Sequence, residues 1–381
     1  MIKRGEEQKM KTKFIHLLKN EVVLVVATAL AVVSMLFNTP SEEYIDFIDF
    51  RVLGILLSLM LVMAGFQING VFRKLGKMLV RRCSNTWSLS FVLVFMCFFS
   101  SMLLTNDVAL ITFVPFALLT LKMTNMEQSM IPVVVAQTIA ANLGSMLTPM
   151  GNPQNLYLYG LSGMSIGEFM LLMLPYTIAS AVMLCIFIIF TKKMPLNLEK
   201  MEQEREKANK WHIVIYSVMF ISCILVVLHI IPWYIVTAII VAMMLFVDRR
   251  VFGKADYSLL CTFISFFIFI GNMGQIDVVK DMLSKLIEGR ELIISVVSSQ
   301  VVSNVPAAIL LSGFTDNYNM LIVGTNLGGL GTLIASMASL ISYKQYANAY
   351  PEKKGKYFRY FTVMNVAFLV VLMIMYVIMP Y

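Results

Sequence analysis

Charged residues are scarce in this sequence: Asp, Glu, Lys and Arg make up 14% of its 381 residues, while hydrophobic residues make up 59%. The apolar residues gather into runs of roughly 18–23 residues, the length that an α-helix needs to cross a bilayer. A soluble domain with a single core does not need a series of such runs. The shortage of charge therefore excludes a soluble globular protein and predicts an all-α polytopic membrane protein.

Signatures of several other kinds of chemistry are missing. No G-x-x-x-x-G-K-[ST] occurs, and the longest loop predicted inside, residues 192–210, is too short for a nucleotide-binding domain, which argues against an ATP-driven pump. An intramembrane protease needs paired aspartates, or a serine with a histidine, and Asp107 has no such partner at depth. The five cysteines lie apart, with no C-x-x-C, so neither disulfide nor zinc chemistry is expected. We predict no enzymatic activity.

The net charge of +8 does not indicate a nucleic-acid partner, because the basic residues lie in short loops between the apolar runs. They concentrate in five segments, 1–20, 73–82, 192–210, 248–254 and 344–359. The first outer loop, TPSEEYIDFID, carries four acids and no base. The positive-inside rule then predicts a multi-pass protein of the cell membrane with its N-terminus in the cytoplasm.

The apolar runs predict nine transmembrane helices, near residues 21–38, 51–70, 130–160, 168–190, 211–230, 233–247, 258–272, 319–343 and 358–380. Two more apolar segments, 87–121 and 291–314, hold polar residues at their centres. If the first crossed fully, the next basic loop would lie on the wrong side. We therefore predict two re-entrant hairpins that enter from opposite sides, with tips at Thr105, Asn106 and Asp107 and at Ser303, Asn304 and Val305.

Two pairs of matched blocks indicate an internal duplication. SSMLLTNDVA (100–109) matches SSQVVSNVPA (298–307), and NLGSMLT (142–148) matches NLGGLGT (326–332). The single span between the copies turns the second one over, which predicts an inverted repeat. The predicted organisation is a cytoplasmic N-terminal segment, a first membrane repeat, a loop with a linker helix, and a second, inverted membrane repeat, at 1–20, 21–190, 191–232 and 233–381.

Helix-breaking residues interrupt one predicted span in each copy, TPMGNPQN in the first and GTLIASMAS (331–339) in the second. Non-helical backbone at membrane depth requires surrounding protein or water, so these breaks predict two broken helices that meet the hairpin tips near the midplane. A lone Asn in a span is commonly a contact between helices, but four such pieces in duplicated order favour a transport site. Asp107 is either an ionisable functional group at depth or a structural charge paired with backbone amides.

A T/S-N-x hairpin tip followed by N-L-G-x-x-x-T and a Pro-broken helix resembles the ion transporter superfamily over roughly residues 45–380. That superfamily includes divalent anion:sodium symporters, citrate transporters, arsenite permeases and sodium/proton antiporters. The resemblance implies an elevator-like mechanism, with ligands held at the tips and the unwound helices. It implies substrate binding by Asn106, Asn152, Asn304, Val305 and Thr332, and cation binding by Thr105, Asn106, Asp107, Thr148, Gly151, Ser303, Asn304 and Ser336.

The third tip positions, Asp107 and Val305, depart from the Ser-Asn-Thr of dicarboxylate symporters, and TNDVAL and SNVPA look more like the arsenite permease branch. We predict a secondary transporter of a small anion, a carboxylate or an inorganic oxyanion, coupled to sodium or protons. An arsenite or oxyanion efflux permease and a sodium/proton antiporter are the alternatives. No cofactor or metal beyond sodium is expected, and the expected partners are the anion, sodium or protons, the lipid bilayer and, by resemblance, a second copy.

Overall fold

The computed structural model describes residues 21–191, 194 and 209–379, so the predicted cytoplasmic segment 1–20 and most of the loop 192–210 lie outside the described residues. Every regular element in the described part is helical. The α-helices are α1 Val22–Ser34, α2 Glu43–Asp46, α3 Phe50–Ile68, α4 Val71–Val80, α5 Thr86–Ser101, α6 Asn106–Met123, α7 Met130–Ser145, α8 Pro153–Ser162, α9 Ile166–Ile189, α10 Lys210–Val227, α11 Trp233–Val247, α12 Tyr257–Gly274, α13 Asp277–Ile287, α14 Glu291–Val302, α15 Asn304–Ser312, α16 Tyr318–Gly328, α17 Met337–Ala349 and α18 Lys354–Ile378. Three 3₁₀ turns connect them at Glu127–Ser129, Arg249–Lys254 and Pro351–Lys353.

Six of these helices are long and apolar enough to cross a membrane, namely α3, α6, α9, α10, α12 and the helix that ends at Ile378. Shorter apolar helices accompany them, among them α1, α5, α11 and α14. The prediction of an all-α polytopic membrane protein is therefore confirmed. By length and composition α6 belongs with the six, although the sequence analysis assigned it to a hairpin arm.

Both broken spans are present, but the predicted positions of the breaks need correction. In the first, α7 ends at Ser145 and α8 begins at Pro153. Proline suits the first position of a helix because the amide proton that it lacks would have no partner within the helix there. In the second, α16 ends at Gly328 and α17 begins at Met337. The glycines that follow α16 interrupt the helix earlier than predicted, and Ser336 is then a natural N-cap for α17.

Two amphipathic helices, α4 and α13, lie where the sequence analysis placed only charged loops. In α4 the buried residues Phe72, Gly76 and Val80 recur every four positions, which is the spacing of one helical face. Each amphipathic helix follows a long apolar helix and precedes a hairpin. The order of long helix, amphipathic helix, hairpin, broken pair and long helix thus occurs twice in the chain.

The core of each half is a close contact between the first hairpin arm and the first half of the broken helix, α5 against α7 and α14 against α16. The glycine of each N-L-G motif lies in that contact. A Cβ atom built on Gly144 would lie 2.1 Å from the Phe98 carbonyl oxygen, and one built on Gly328 would lie 2.6 Å from the Ser299 hydroxyl. Glycine is therefore required for the helices to approach this closely.

Candidate functional site

The two hairpin tips share an unusual backbone conformation. Thr105 has φ 66° and Ser303 has φ 76°, and each is the N-cap of the helix that follows. A positive φ is rare for any residue other than glycine and is especially strained for a β-branched threonine. Contacts with the breaks hold this conformation. The backbone amide of Asn106 donates to the Gly151 carbonyl at 3.1 Å, and the backbone amide of Asn304 donates to the Ala335 carbonyl at 3.0 Å.

The asparagine of the first N-L-G motif, Asn142, ties the two halves together. Its Oδ1 accepts hydrogen bonds from the side-chain amide of Asn106 at 3.0 Å and from the Ser336 hydroxyl at 3.0 Å. Its Nδ2 donates to the Ser339 hydroxyl at 3.3 Å. One buried side chain in the first half therefore fixes the start of α17 in the second half.

The asparagine of the second motif, Asn326, makes the reciprocal contacts. Its Nδ2 donates to Asn155 Oδ1 at 2.6 Å, and its Oδ1 accepts from the Asn152 side-chain amide at 3.4 Å. Asn152 and Asn155 occupy the same positions at the start of α8 as Ser336 and Ser339 at the start of α17. The sequence analysis used both N-L-G motifs as evidence of duplication but did not predict their asparagines, Asn142 and Asn326, as site residues.

The N-termini of four helices line one central cavity of about 10 Å³. Its lining comes from the first residues of α6 and α15 at the tips and of α8 and α17 after the breaks, together with the N-cap of α17 and one side chain of α12. These residues are Asn106, Asp107, Pro153, Gln154, Asn304, Val305, Ser336, Met337 and Leu259. A helix N-terminus carries a partial positive charge and unsatisfied amides. Four of them directed at one small volume favour a negatively charged ligand.

Several buried polar atoms around this centre have no hydrogen-bond partner within the described part of the chain. Both side-chain atoms of Gln154 lack one although the residue is fully buried, and Asn152 Oδ1 and Asp107 Oδ1 also lack one. Buried polar groups are normally satisfied, so these exceptions, which line the central cavity or the wider cavity beside it, favour a ligand there. Gln154 was not predicted as a site residue, although it lies within the quoted break.

A wider cavity of about 130 Å³ adjoins the central one, and Asp107, Pro153, Leu259 and Met337 line both. Thr105 and Asn152 line the wider cavity beside the first tip and the first break, and Lys254 and Asp256 line it on the side of the basic loop before α12. Burial raises the pKa of the Asp256 carboxyl, against the opposing effect of its hydrogen bond from the Leu259 amide. The wider cavity therefore holds two carboxyl groups, of which the sequence analysis predicted only Asp107.

The structure brings seven of the predicted residues to these two cavities: Thr105, Asn106, Asp107, Asn152, Asn304, Val305 and Ser336. Four others, Thr148, Gly151, Ser303 and Thr332, line neither cavity.

These four residues have contacts with the backbone or with neighbouring tip residues instead. The Thr148 hydroxyl donates to the Met102 carbonyl, and the exposed Thr332 donates its hydroxyl to the Gln300 carbonyl at 3.3 Å. The Ser303 hydroxyl donates to Asn304 Oδ1 at 3.4 Å, and a Cβ on Gly151 would lie 2.0 Å from the Ser145 carbonyl oxygen. Thr148 and Thr332 therefore hold the breaks against the hairpins, whereas the contacts given for Ser303 and Gly151 lie within the tip and the break themselves.

Comparisons with known proteins find several similar sequences. The family model described as "Citrate transporter" matches residues 14–319. The chain is similar to an uncharacterized transporter of Methanocaldococcus jannaschii, with 34% identity over 255 residues that cover 66% of this chain and 69% of the relative. It is also similar to the inner membrane protein YbiR of Escherichia coli, with 30% identity over 305 residues that cover 78% of this chain and 80% of the relative. A silicon efflux transporter of Oryza sativa is 32% identical over 150 residues, which cover 39% of this chain and 30% of that protein.

Proposed function

The chain belongs to the citrate transporter family, and from this membership we propose that it is a secondary active transporter of a small anion, coupled to sodium or protons. The family and the names of the relatives indicate a transporter rather than an enzyme. One observation carries the proposal: four helix N-termini surround a cavity in which the buried Gln154 side chain has no hydrogen-bond partner among the described residues. Amide groups and positive helix ends suit an anion.

The cation is proposed to bind at the boundary between the central and the wider cavity. Asp107 supplies a carboxylate there, and Thr105 and Asn152 supply neutral oxygens nearby. Hard cations such as sodium prefer oxygen ligands, and a carboxylate can instead take up a proton. A cation at Asp107 would offset the carboxylate charge that otherwise repels the anion, which is a physical basis for coupling the two.

We also propose that the two halves are inverted repeats, 21–190 and 233–381, separated by 191–232. The recurring order of helices, the matched tip conformations and the reciprocal contacts of Asn142 and Asn326 support this proposal. Asn142 and Asn326 join the first tip to both breaks, and the Asn304 backbone amide joins the second tip to the second break. We therefore expect these parts to move together in an elevator-like step. A homodimer and an inner-membrane location, the latter supported by the name of YbiR, complete the proposal.

Labelling of single cysteines tests the inverted relation. In a protein without its five native cysteines, Lys285→Cys on α13 should react with a membrane-impermeant maleimide from outside the cell. Lys74→Cys on α4 should react only after permeabilisation, because the basic segment 73–82 is expected in the cytoplasm. Equal labelling of both positions in intact cells would rule out the inverted repeat.

Ligand binding at the centre is tested by thermal shift of the purified protein with citrate, succinate, sulfate, arsenite, sodium and lithium. A ligand at about 100 times its Kd stabilises the folded state by roughly 2.7 kcal/mol. Asn106→Ala and Asn304→Ala should each weaken binding of whichever ligand gives a shift by about 1–3 kcal/mol, since each leaves a buried polar group of that ligand unpaired.

Asn365→Ala is the matched control, because Asn365 is also a buried asparagine but lies on α18, and its amide donates to the Phe361 carbonyl at 2.9 Å. It should keep the full thermal shift. Unchanged shifts in both tip variants would reduce Asn106 and Asn304 to packing residues and remove the proposed binding site.

Efflux of an oxyanion is the second candidate function. Val305 offers no polar group at the second tip, and Asp107 places an acid at the first, so the centre suits a weakly charged oxyacid better than a dianion. The similarity to a silicon efflux transporter points the same way. Accumulation of arsenite in everted membrane vesicles, without uptake of citrate in right-side-out vesicles, would favour this candidate.

A further inference from the structure

The wider cavity has an apolar wall along one face of α3. The α3 residues that line it recur at the spacing of a single helical face, and all but the last are apolar. We call them the α3 stripe, which consists of Leu56, Leu59, Met60, Met63, Ala64 and Gln67. Further apolar lining comes from α6, α8 and α17, for example Ile111, Leu156 and Ile341. The cavity therefore offers apolar surface between α3 and helices of the proposed transport site.

The polar part of the same cavity suits a positive charge. Asp107, Asp256 and Lys254 are the charged residues among its described lining, which therefore carries one more acid than base. Lys254 is exposed to solvent, which screens its charge, whereas Asp107 Oδ1 is a buried atom. Ligand sites are typically apolar cavities with a few polar groups that fix the orientation of the ligand. An organic cation with an apolar tail is complementary to both parts of this cavity.

Two buried oxygen atoms in the cavity lack a hydrogen-bond donor. Neither Asp107 Oδ1 nor Asn152 Oδ1 has a partner in the part of the chain that the structure describes, and Asn152 is only 2% exposed. A primary ammonium group carries N–H donors for such oxygens, whereas a quaternary ammonium group carries none and is typically held by aromatic rings. No aromatic side chain is among the described residues that line this cavity. The class of cation that fits is therefore a primary alkylammonium ion.

We propose that the wider cavity binds a primary alkylammonium ion, whose N–H groups donate to Asp107 Oδ1 and Asn152 Oδ1 and whose alkyl chain packs along the α3 stripe. An alkylamine is protonated at neutral pH, as a lysine side chain is. Because the ammonium group occupies the carboxylate proposed for the coupling cation, it should inhibit accumulation of substrate in competition with that cation. The inhibition rests on the proposed function, whereas the binding does not.

Four ligands with the same six-carbon chain separate the contributions to binding. Thermal shift of the full chain is measured with hexylammonium, hexyltrimethylammonium, hexan-1-ol and hexanoate in phosphatidylcholine nanodiscs, whose headgroups carry no net charge. Hexylammonium should have a dissociation constant roughly tenfold or more below those of the other three, because it alone combines a positive charge with N–H donors. Equal affinities for hexylammonium and hexan-1-ol would overturn the proposal.

Asp107→Asn tests the contribution of the charge. It should weaken hexylammonium binding roughly tenfold or more and leave the affinity for hexan-1-ol within about twofold of the parent, which also verifies that the cavity is intact. Asp277→Asn is the matched control, because Asp277 is exposed and does not line the cavity, and it should bind hexylammonium like the parent. Parental affinity for hexylammonium in Asp107→Asn would refute the proposed site.

Met60→Ala tests the contribution of the α3 stripe. It should weaken hexylammonium binding about fivefold or more, since it removes apolar surface that the alkyl chain contacts. Leu57→Ala is the matched control on the same helix, because Leu57 is half-buried, as Met60 is, but does not line the cavity. Equal losses in these two variants would exclude the stripe as the surface that holds the chain. Binding of hexylammonium by a protein that transports none of the tested anions would instead uphold this site and contradict the proposed function.

Discussion

Replacing Gly144 with alanine is expected to destabilise the folded protein by about 3 kcal/mol or more, at or above the upper end of the usual cost of overpacking. The new methyl group would lie 2.1 Å from the Phe98 carbonyl oxygen and 2.8 Å from the Ser101 hydroxyl oxygen. The first of these atoms belongs to the backbone of α5, so no side-chain rotation relieves the clash. The hairpin arm must move away from α7, and the tip at Thr105 moves with it.

Two other glycines calibrate this result. Gly160→Ala on α8 is the matched control, because no packing neighbour among the described residues lies within 4 Å of a Cβ built there, and it should unfold like the parent. Gly328→Ala should have an intermediate effect, since its closest contact is the Ser299 hydroxyl, which belongs to a side chain. Thermal unfolding in detergent, followed by tryptophan fluorescence and gel filtration, ranks the three variants. Equal stability of Gly144→Ala and Gly160→Ala would contradict the close contact between α5 and α7.

The hairpin tips and the existence of the two breaks, though not their bounds, could be predicted from the sequence because both signals are local. Asn, Gly and Pro mark candidate interruptions of the apolar runs, and the duplication distinguishes the true breaks from prolines such as Pro115 and Pro175, which lie inside helices. The amphipathic helices α4 and α13 were missed because their charged residues were read as loops. Their apolar residues do have helical spacing, so a calculation of periodicity over these segments would have found them.

The contacts between the halves could not be predicted in the same way. Asn142 and Ser336 are 194 residues apart, and nothing close to either residue in the sequence identifies the other as its partner. In the sequence Gln154 is only one residue of a break, and its importance follows from a fully buried side chain that has no hydrogen-bond partner in the part of the chain that the structure describes. Asp256 is the N-cap of α12, and only the fold places it beside the same cavity as Asp107. Residues of this kind depend on tertiary structure rather than on local pattern.

Asp107→Asn is expected to abolish accumulation of substrate against a gradient while leaving exchange of substrate across the membrane. The variant keeps the shape of the side chain and loses its charge. The backbone contact that positions it, the Asp107 amide donating to Asn106 Oδ1 at 2.9 Å, does not involve the carboxyl group. The buried Oδ1 atom has no partner in the described chain, so the substitution breaks no hydrogen bond at that atom.

The size of this effect follows from the coupling. A tenfold gradient of one coupled ion supplies about 1.4 kcal/mol and supports tenfold accumulation of substrate, so an uncoupled carrier should fall to a ratio near one. Proteoliposomes loaded with the anion found in the thermal-shift screen allow uphill uptake and exchange to be measured on the same preparation. Asp277→Asn is the control, because Asp277 is exposed at the start of α13 and should keep the parental accumulation ratio.

The coupling ion is then identified by which gradient drives wild-type uptake. If Asp107 carries a proton, accumulation follows the proton gradient and persists without sodium. If Asp107 holds sodium together with the oxygens of Thr105 and Asn152, accumulation follows the sodium gradient and changes little when the proton gradient is collapsed. In either case Asp256→Asn should retain coupling with a changed affinity for the cation, since Asp256 lines the wider cavity but not the central one. Should Asp107→Asn accumulate substrate as well as the wild type, Asp107 is a structural charge, and the neutral oxygens of the two hairpin tips must provide the coupling.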